Sequence, residues 1–212
     1  MSLDTSPLLV NFVTNKKKDM KVLVKIFALV IGCIGFLNAQ TTYMVESSEM
    51  SIAGTSTLHD WESSVNEVLV ECKFNFENET LSGIEELMVT IPAKSIISTK
   101  GSIMDNKTWK ALKHEEHPNI TYQLKEVTSI EKTPEGLIFV LNGLVNLAGV
   151  EKTIDLQVTG KTLGDEKMEF QGSQKFIMTE YEMVPPTALF GQIKTGDEIT
   201  VRFKVVMGAG KS

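Results

Sequence analysis

The chain has 212 residues, with 21 basic and 27 acidic side chains, two cysteines and 42% apolar residues. That length suggests one domain plus extras or two small ones, and the apolar content suffices for a packed core. A net charge of −6 argues against nucleic acid as the main partner, since phosphate neutralisation needs a basic surface. Two cysteines make neither a disulfide framework nor a four-cysteine zinc site.

The first segment is unlike the rest. Lys16, Lys17, Lys18, Lys21 and Lys25 precede an apolar run from Ile26 to Leu37, which exits through Ala39. A basic region, about a dozen apolar residues and a small-residue exit read as a secretory signal peptide, too short for the ~20 residues of a comfortable span. Met20 opens a more typical signal, so residues 1–19 read as an upstream extension or as the product of a misassigned start site. VIGC ending at Cys33 resembles a lipoprotein acylation box, but the residues after it stay apolar, which favours soluble export. The expected organisation is an extension and signal over 1–39 and one domain over 40–212. The mature chain then carries 16 basic and 25 acidic residues, a net charge of −9. It keeps one cysteine, Cys72, read as a buried small hydrophobe.

The mature chain reads mostly as strands. Val70, Cys72, Phe74 and Phe76 alternate with polar residues, and Leu87–Ile91 repeats the pattern. After these, residues 103–117 contain neither Gly nor Pro and place Met104, Trp109, Leu112 and Ala111 on a helical stripe, with Pro118 as the stop. Leu137–Leu147 is apolar on both faces, and Ile154–Val158 alternates again. From Ile199 to Met207, Ile199, Val201, Phe203, Val205 and Met207 share one face against Thr200, Arg202 and Lys204. Short turn signals separate these runs, so the expected fold is all-β: an antiparallel barrel of about eight strands with one short helix near one end.

Candidate chemistry is sparse. His114 and His117 in HEEH are three apart, where a zincin helix needs four, and no third ligand follows from spacing. A solvated helix end explains them more simply. In GTSTLHDW (54–61), His59 and Asp60 could form a triad with Ser56 or Thr57, but strand neighbours point apart and no nucleophile elbow is present. Packing of Trp61 at a barrel end is the better reading. The adjacent pairs Glu85–Glu86 and Glu115–Glu116 do not converge on one bond. The expectation is a non-enzyme with no catalytic residue, no metal and no cofactor.

Four segments in order carry a resemblance: GTSTLHDW (54–61), MDNKTWKALKHEEHPNITYQL (104–124), NGLVNLAGVEKTIDLQV (142–158) and KFIMTEYEMVPPTALFGQIKTGDEITVRFKV (175–205). Together they resemble the YceI-like family of exported lipid-binding proteins, in the form seen in Bacteroidetes-like sequences. The resemblance implies a lipocalin-like barrel holding a long isoprenoid chain, such as a polyprenyl phosphate or quinone tail. On that basis Phe74, Phe139, Leu141, Val145, Leu156, Val201, Phe203 and Val205 are expected to line the lumen. Trp61, Trp109, Leu112, Phe176 and Phe190 are expected at its mouth. The implied protein is periplasmic or secreted, a carrier or sequestering module for an apolar lipid. It has no nucleic-acid partner, no stable membrane insertion once the signal is cleaved, and room for a homodimer. Two alternatives stay open: a barrel filled by its own side chains that acts as a structural or partner-binding domain, and a metal-assisted hydrolase using His59, His114, Glu115 and His117. A cavity above ~300 Å³, the low end for ligand pockets, separates the binding reading from the filled barrel.

Overall fold

The computed structural model describes residues 43–77, 80–164 and 167–210; the expected signal peptide and the extension before it lie outside them. Among the described residues there are eleven strands. Eight are long: β1 (Tyr43–Ser56), β3 (Leu69–Glu77), β4 (Thr80–Pro92), β6 (Asn119–Thr133), β7 (Gly136–Leu147), β8 (Val150–Gly164), β9 (Lys167–Ile177) and β11 (Ile193–Ala209). The eight-strand expectation describes these. Three short strands, β2 (Trp61–Val65), β5 (Ile96–Ser98) and β10 (Thr187–Ala188), are additions that no alternating run announced, because two to five residues are too few to show a period.

The sheet is antiparallel in the order β3-β4-β6-β7-β8-β9-β11-β1-β2-β5, with β10 paired to β11. It is a curled half-barrel: β3 and β5 are its two edges, and no ladder joins them. Closure by hydrogen bonds, implicit in a barrel, is therefore not what holds the curl. Bulges interrupt β1, β4 and β6, each adding a residue that bends its strand and raises the local twist. Long strands from both halves of the chain then turn one apolar face inward. Phe139, Leu141, Met168 and Met207 are among the fully buried side chains.

One helix, α1 (Ser102–Ala111), lies across the mouth end. It is shorter than the residue 103–117 window. Lys113 enters the left-handed region at φ 53°, and the His114 N–H reaches back to the Trp109 carbonyl at 3.1 Å, so the helix ends in a Schellman-type closure before Pro118 can stop it. Near its start, Asp105 is buried and its Oδ1 accepts from the Ser98 N–H at 2.7 Å, tying α1 to β5. Asp105→Ala leaves that donor unpaired and is expected to cost about 1–3 kcal/mol. Asp105→Asn keeps an acceptor and should melt close to wild type. Thermal unfolding of the two variants measures the difference. Among the described residues no helix is long and apolar enough to cross a membrane.

Candidate lipid-binding site

The inward faces of the strands enclose an apolar cavity of about 190 Å³. Of its wall residues only Thr121, Tyr122 and Gln174 are polar. The alternating face of β11 enters it whole: Ile199, Val201, Phe203, Val205 and Met207. Phe74, Leu141, Val145, Leu156 and Phe176 line it too. The alternating apolar side chains of these strands face one interior because every second side chain of a curled sheet points the same way.

Tyr122 reaches across β7. Its hydroxyl donates to the Leu141 carbonyl at 3.1 Å. Burial, and secondarily the Asp155 carboxylate, push the phenol pKa up to about 12, so the group stays a donor. Gly143 makes this possible: a Cβ there would sit 2.4 Å from the Tyr122 ring.

A second compartment of about 220 Å³ lies at the mouth, under α1. Its wall is mostly apolar, with His59, Lys100 and Lys107 among its polar members. Ile52, Ile96, Leu112 and Ile199 belong to both walls. These four side chains form a septum between two chambers. The inner chamber alone is below the ~300 Å³ usual for ligand sites, and the two chambers together exceed it. Leu112 is therefore the partition within the lumen rather than a part of its rim.

The remaining expected residues are placed differently. Phe139 is fully buried but outside the cavity wall; it fills the closed end, where a Cβ on Gly160 would come within 2.9 Å of it. Trp61 lines the mouth chamber. Trp109 lines neither chamber: its Nε1 donates to the Ile96 carbonyl at 3.0 Å. On a helix Met104, Thr108 and Ala111 share the chamber-facing stripe, and residue 109 is rotated off it. Phe190 is fully exposed and points away from both chambers. Its backbone sits at φ 54°, beside Leu189 at φ 48°. Sequence reasoning missed Met50, Ile52, Ile96 and Ile120 in the walls, because their strands lack clean alternation.

The GTSTLHDW segment builds a turn. Ser56 Oγ donates to the His59 carbonyl at 2.7 Å and accepts from the His59 N–H at 3.2 Å. Trp61 Nε1 donates to the Thr55 carbonyl at 3.0 Å, and the indole lies where a Gly54 side chain would be. His59 Nδ1 sits 2.8 Å from the Asp60 carbonyl. Ser56 and His59 thus bond to backbone within the turn, and no Ser–His–Asp relay is assembled. The His114 ring is tilted against Trp109, at 6.1 Å between centroids, while His117 lies against Gly149. Among the described residues no three His, Cys, Asp or Glu side chains converge to hold a metal ion.

Cys72, expected as a buried hydrophobe, is half-buried against the core with its Sγ 3.9 Å from Met207 Sδ. Burial pushes its thiol from the usual 9.0 up to about 12. At pH 8 the thiolate fraction is then on the order of one in ten thousand, so iodoacetamide should leave Cys72 unmodified in the folded protein and alkylate it readily in urea. Mass spectrometry of the peptide reads this directly. The folded state holds this proton more tightly than the unfolded one, so the contribution to stability is complete below about pH 9 and is lost as pH rises towards 12.

The profile of the YceI-like domain matches residues 41–207, which takes in the half-barrel up to the last two residues of β11 and the walls of both chambers. The chain belongs to the YceI-like family. No curated protein matches it. Among solved structures, BcnA of Burkholderia cenocepacia is 16% identical with a TM-score of 0.57, over 75% of this chain and 95% of that one. A polyisoprenoid binding domain from Saccharophagus degradans, implicated in plant cell wall breakdown, is 12% identical with a TM-score of 0.58, over 80% and 99%. The Campylobacter jejuni YceI protein is 20% identical with a TM-score of 0.54, over 71% and 85%. At these identities the likeness is one of fold. The YceI-like domain of this chain is thus an antiparallel half-barrel with an apolar interior.

Proposed function

We propose that the protein is an exported, non-enzymatic binding protein that holds an isoprenoid or similarly long apolar lipid in its divided lumen. The observation that carries this reading is the wall chemistry: nearly every side chain around the inner chamber is aliphatic or aromatic. Such a wall, with only Thr121, Tyr122 and Gln174 polar, offers little to a polar substrate, whereas each methylene-sized group of a tail contributes about 0.8 kcal/mol on burial. The Saccharophagus degradans neighbour, described as polyisoprenoid binding, supports the same ligand class. The basic and apolar character of residues 16–37 supports export to the periplasm or beyond, with cleavage near Ala39.

The septum adds a condition. A tail longer than one chamber must displace Leu112, so loading is coupled to movement of the α1 end. Native mass spectrometry of protein purified from its host tests the assignment: a bound apolar mass in the isoprenoid range is expected. Protein that carries no such mass and takes none up from detergent-solubilised polyprenyl phosphate or quinone overturns it. The second reading, a filled barrel acting through its surface, draws on the small volume of the inner chamber, about 190 Å³.

A further inference from the structure

Ten large hydrophobic side chains are prominently exposed among the described residues, and they divide by place. Leu58, Ile103, Val184, Leu189 and Phe190 are 64% exposed or more, while Met44, Leu69, Phe76, Ile130 and Leu163 are 61% or less. The first five all stand on the three segments that frame the mouth chamber. Leu58 lies in the turn between β1 and β2, Ile103 in the first turn of α1, and Val184, Leu189 and Phe190 in the connection between β9 and β11.

These segments are fastened to one another. The Thr57 N–H donates to the Lys194 carbonyl at 3.0 Å, and the Lys194 N–H donates to Thr57 Oγ1 at 3.2 Å. Lys107 Nζ donates to the Thr187 carbonyl. The five apolar side chains therefore crown one braced rim. Two consecutive non-glycine residues in the left-handed region, Leu189 and Phe190, hold Phe190 outward, in a backbone conformation that carries a conformational cost.

Charge follows the same geography. The chain as a whole is acidic, yet on these segments and within two residues of their ends Lys100, Lys107, Lys110, Lys113 and Lys194 stand against the exposed acids Asp60, Glu62, Glu180 and Glu182, of which Glu180 is paired with Lys152, and Asp105 is buried against Ser98. Apolar side chains projecting singly from loops, with lysines beside them, match a bilayer interface, where apolar groups enter the acyl boundary and cations meet anionic headgroups. A protein partner would instead call for a continuous packed patch.

We propose that the mouth rim docks on an anionic lipid bilayer, with Phe190, Leu189, Val184, Leu58 and Ile103 entering the interface so that the mouth chamber opens onto the membrane. An apolar tail then passes between bilayer and lumen without crossing water. The purpose of docking rests on the lumen reading above, but docking is read without any lipid uptake, so the two can fail separately.

The test uses the protein purified from its host and vesicles of phosphatidylcholine containing a minority of phosphatidylglycerol. In Phe190→Trp the new indole should be quenched by brominated acyl chains, and in Leu163→Trp, at the opposite end, it should not. Phe190→Ser should weaken vesicle co-sedimentation about tenfold with an unchanged melting temperature, and Leu163→Ser should leave it as in wild type. Weaker binding to pure phosphatidylcholine is the expected mark of the lysines. An unquenched indole at position 190, equal co-sedimentation of Phe190→Ser and wild type, or burial of position 190 in a dimer seen by light scattering would each overturn the proposal.

Discussion

Leu156→Trp is expected to empty the lumen of lipid without unfolding the domain. Leu156 faces Leu141 across the β7–β8 ladder and lines the inner chamber. It is only half-buried, because part of its surface borders the cavity. An indole at this position projects into the space of about 190 Å³ and takes the place of tail carbons. Displacing two or three of them removes about 0.8 kcal/mol each, so binding should weaken roughly 10- to 100-fold. The melting temperature should hold or rise, since the larger ring buries more apolar area with nothing to displace. In a filled barrel the same substitution is overpacking and costs about 1–3 kcal/mol, a fall of several degrees in a domain of this size. Bound lipid quantified by native mass spectrometry, beside a thermal melt, separates the two readings in one variant. Stability lost with no ligand to lose identifies the filled barrel.

Gly143→Ala is expected to be the most damaging single methyl addition near the lumen. The new Cβ would lie 2.4 Å from Tyr122 Cζ and 2.5 Å from its hydroxyl oxygen, far inside contact distance. The pair is diagonal across the β6–β7 ladder, where Tyr122 faces Val145 and Gly143 faces Leu124. Moving the ring breaks the buried hydrogen bond to the Leu141 carbonyl, about 1–3 kcal/mol, and pushes the ring into neighbours already in contact, about 1–3 kcal/mol more. A loss of about 3 kcal/mol corresponds to roughly 6–12 °C in melting temperature at 2–4 °C per kcal/mol. Tyr122→Leu removes the obstacle, so the double variant should be clearly more stable than the sum of the single effects, with a coupling of about 0.5–3 kcal/mol. Strictly additive losses in denaturant melts would show that the ring is not what Gly143 accommodates.

The strands that build the lumen were legible where burial is one-sided. From Ile199 to Lys204 in β11 and from Ile154 to Thr159 in β8 a polar residue follows each apolar one, and those apolar residues line the cavity. Leu137–Leu147 was legible as a strand but not as a wall: Leu141 and Val145 reach the chamber, Gly143 yields its place to Tyr122, and Phe139 plugs the closed end. Which member of an alternating set meets space and which meets another side chain depends on partners that are distant in the chain. The same limit explains Trp109 and Phe190. The resemblance implied both at the mouth, but one is turned to β5 by its indole hydrogen bond, and the other is held outward by the φ values at residues 189–190.

Composition, period-two alternation and four ordered motifs by themselves determined an acidic, all-β, YceI-like domain with an apolar interior, because side-chain periodicity is a local property of an extended backbone. The length and charge of the chain, once the basic N-terminal segment was set apart, already pointed to one domain with one thiol. Only the tertiary structure decided that the sheet is an open half-barrel, that Ile52, Ile96, Leu112 and Ile199 divide its lumen, and that the most exposed hydrophobics gather at its mouth. Curvature, cavity volume and the company a side chain keeps are set by contacts between residues far apart in sequence, and those contacts have no local period to read.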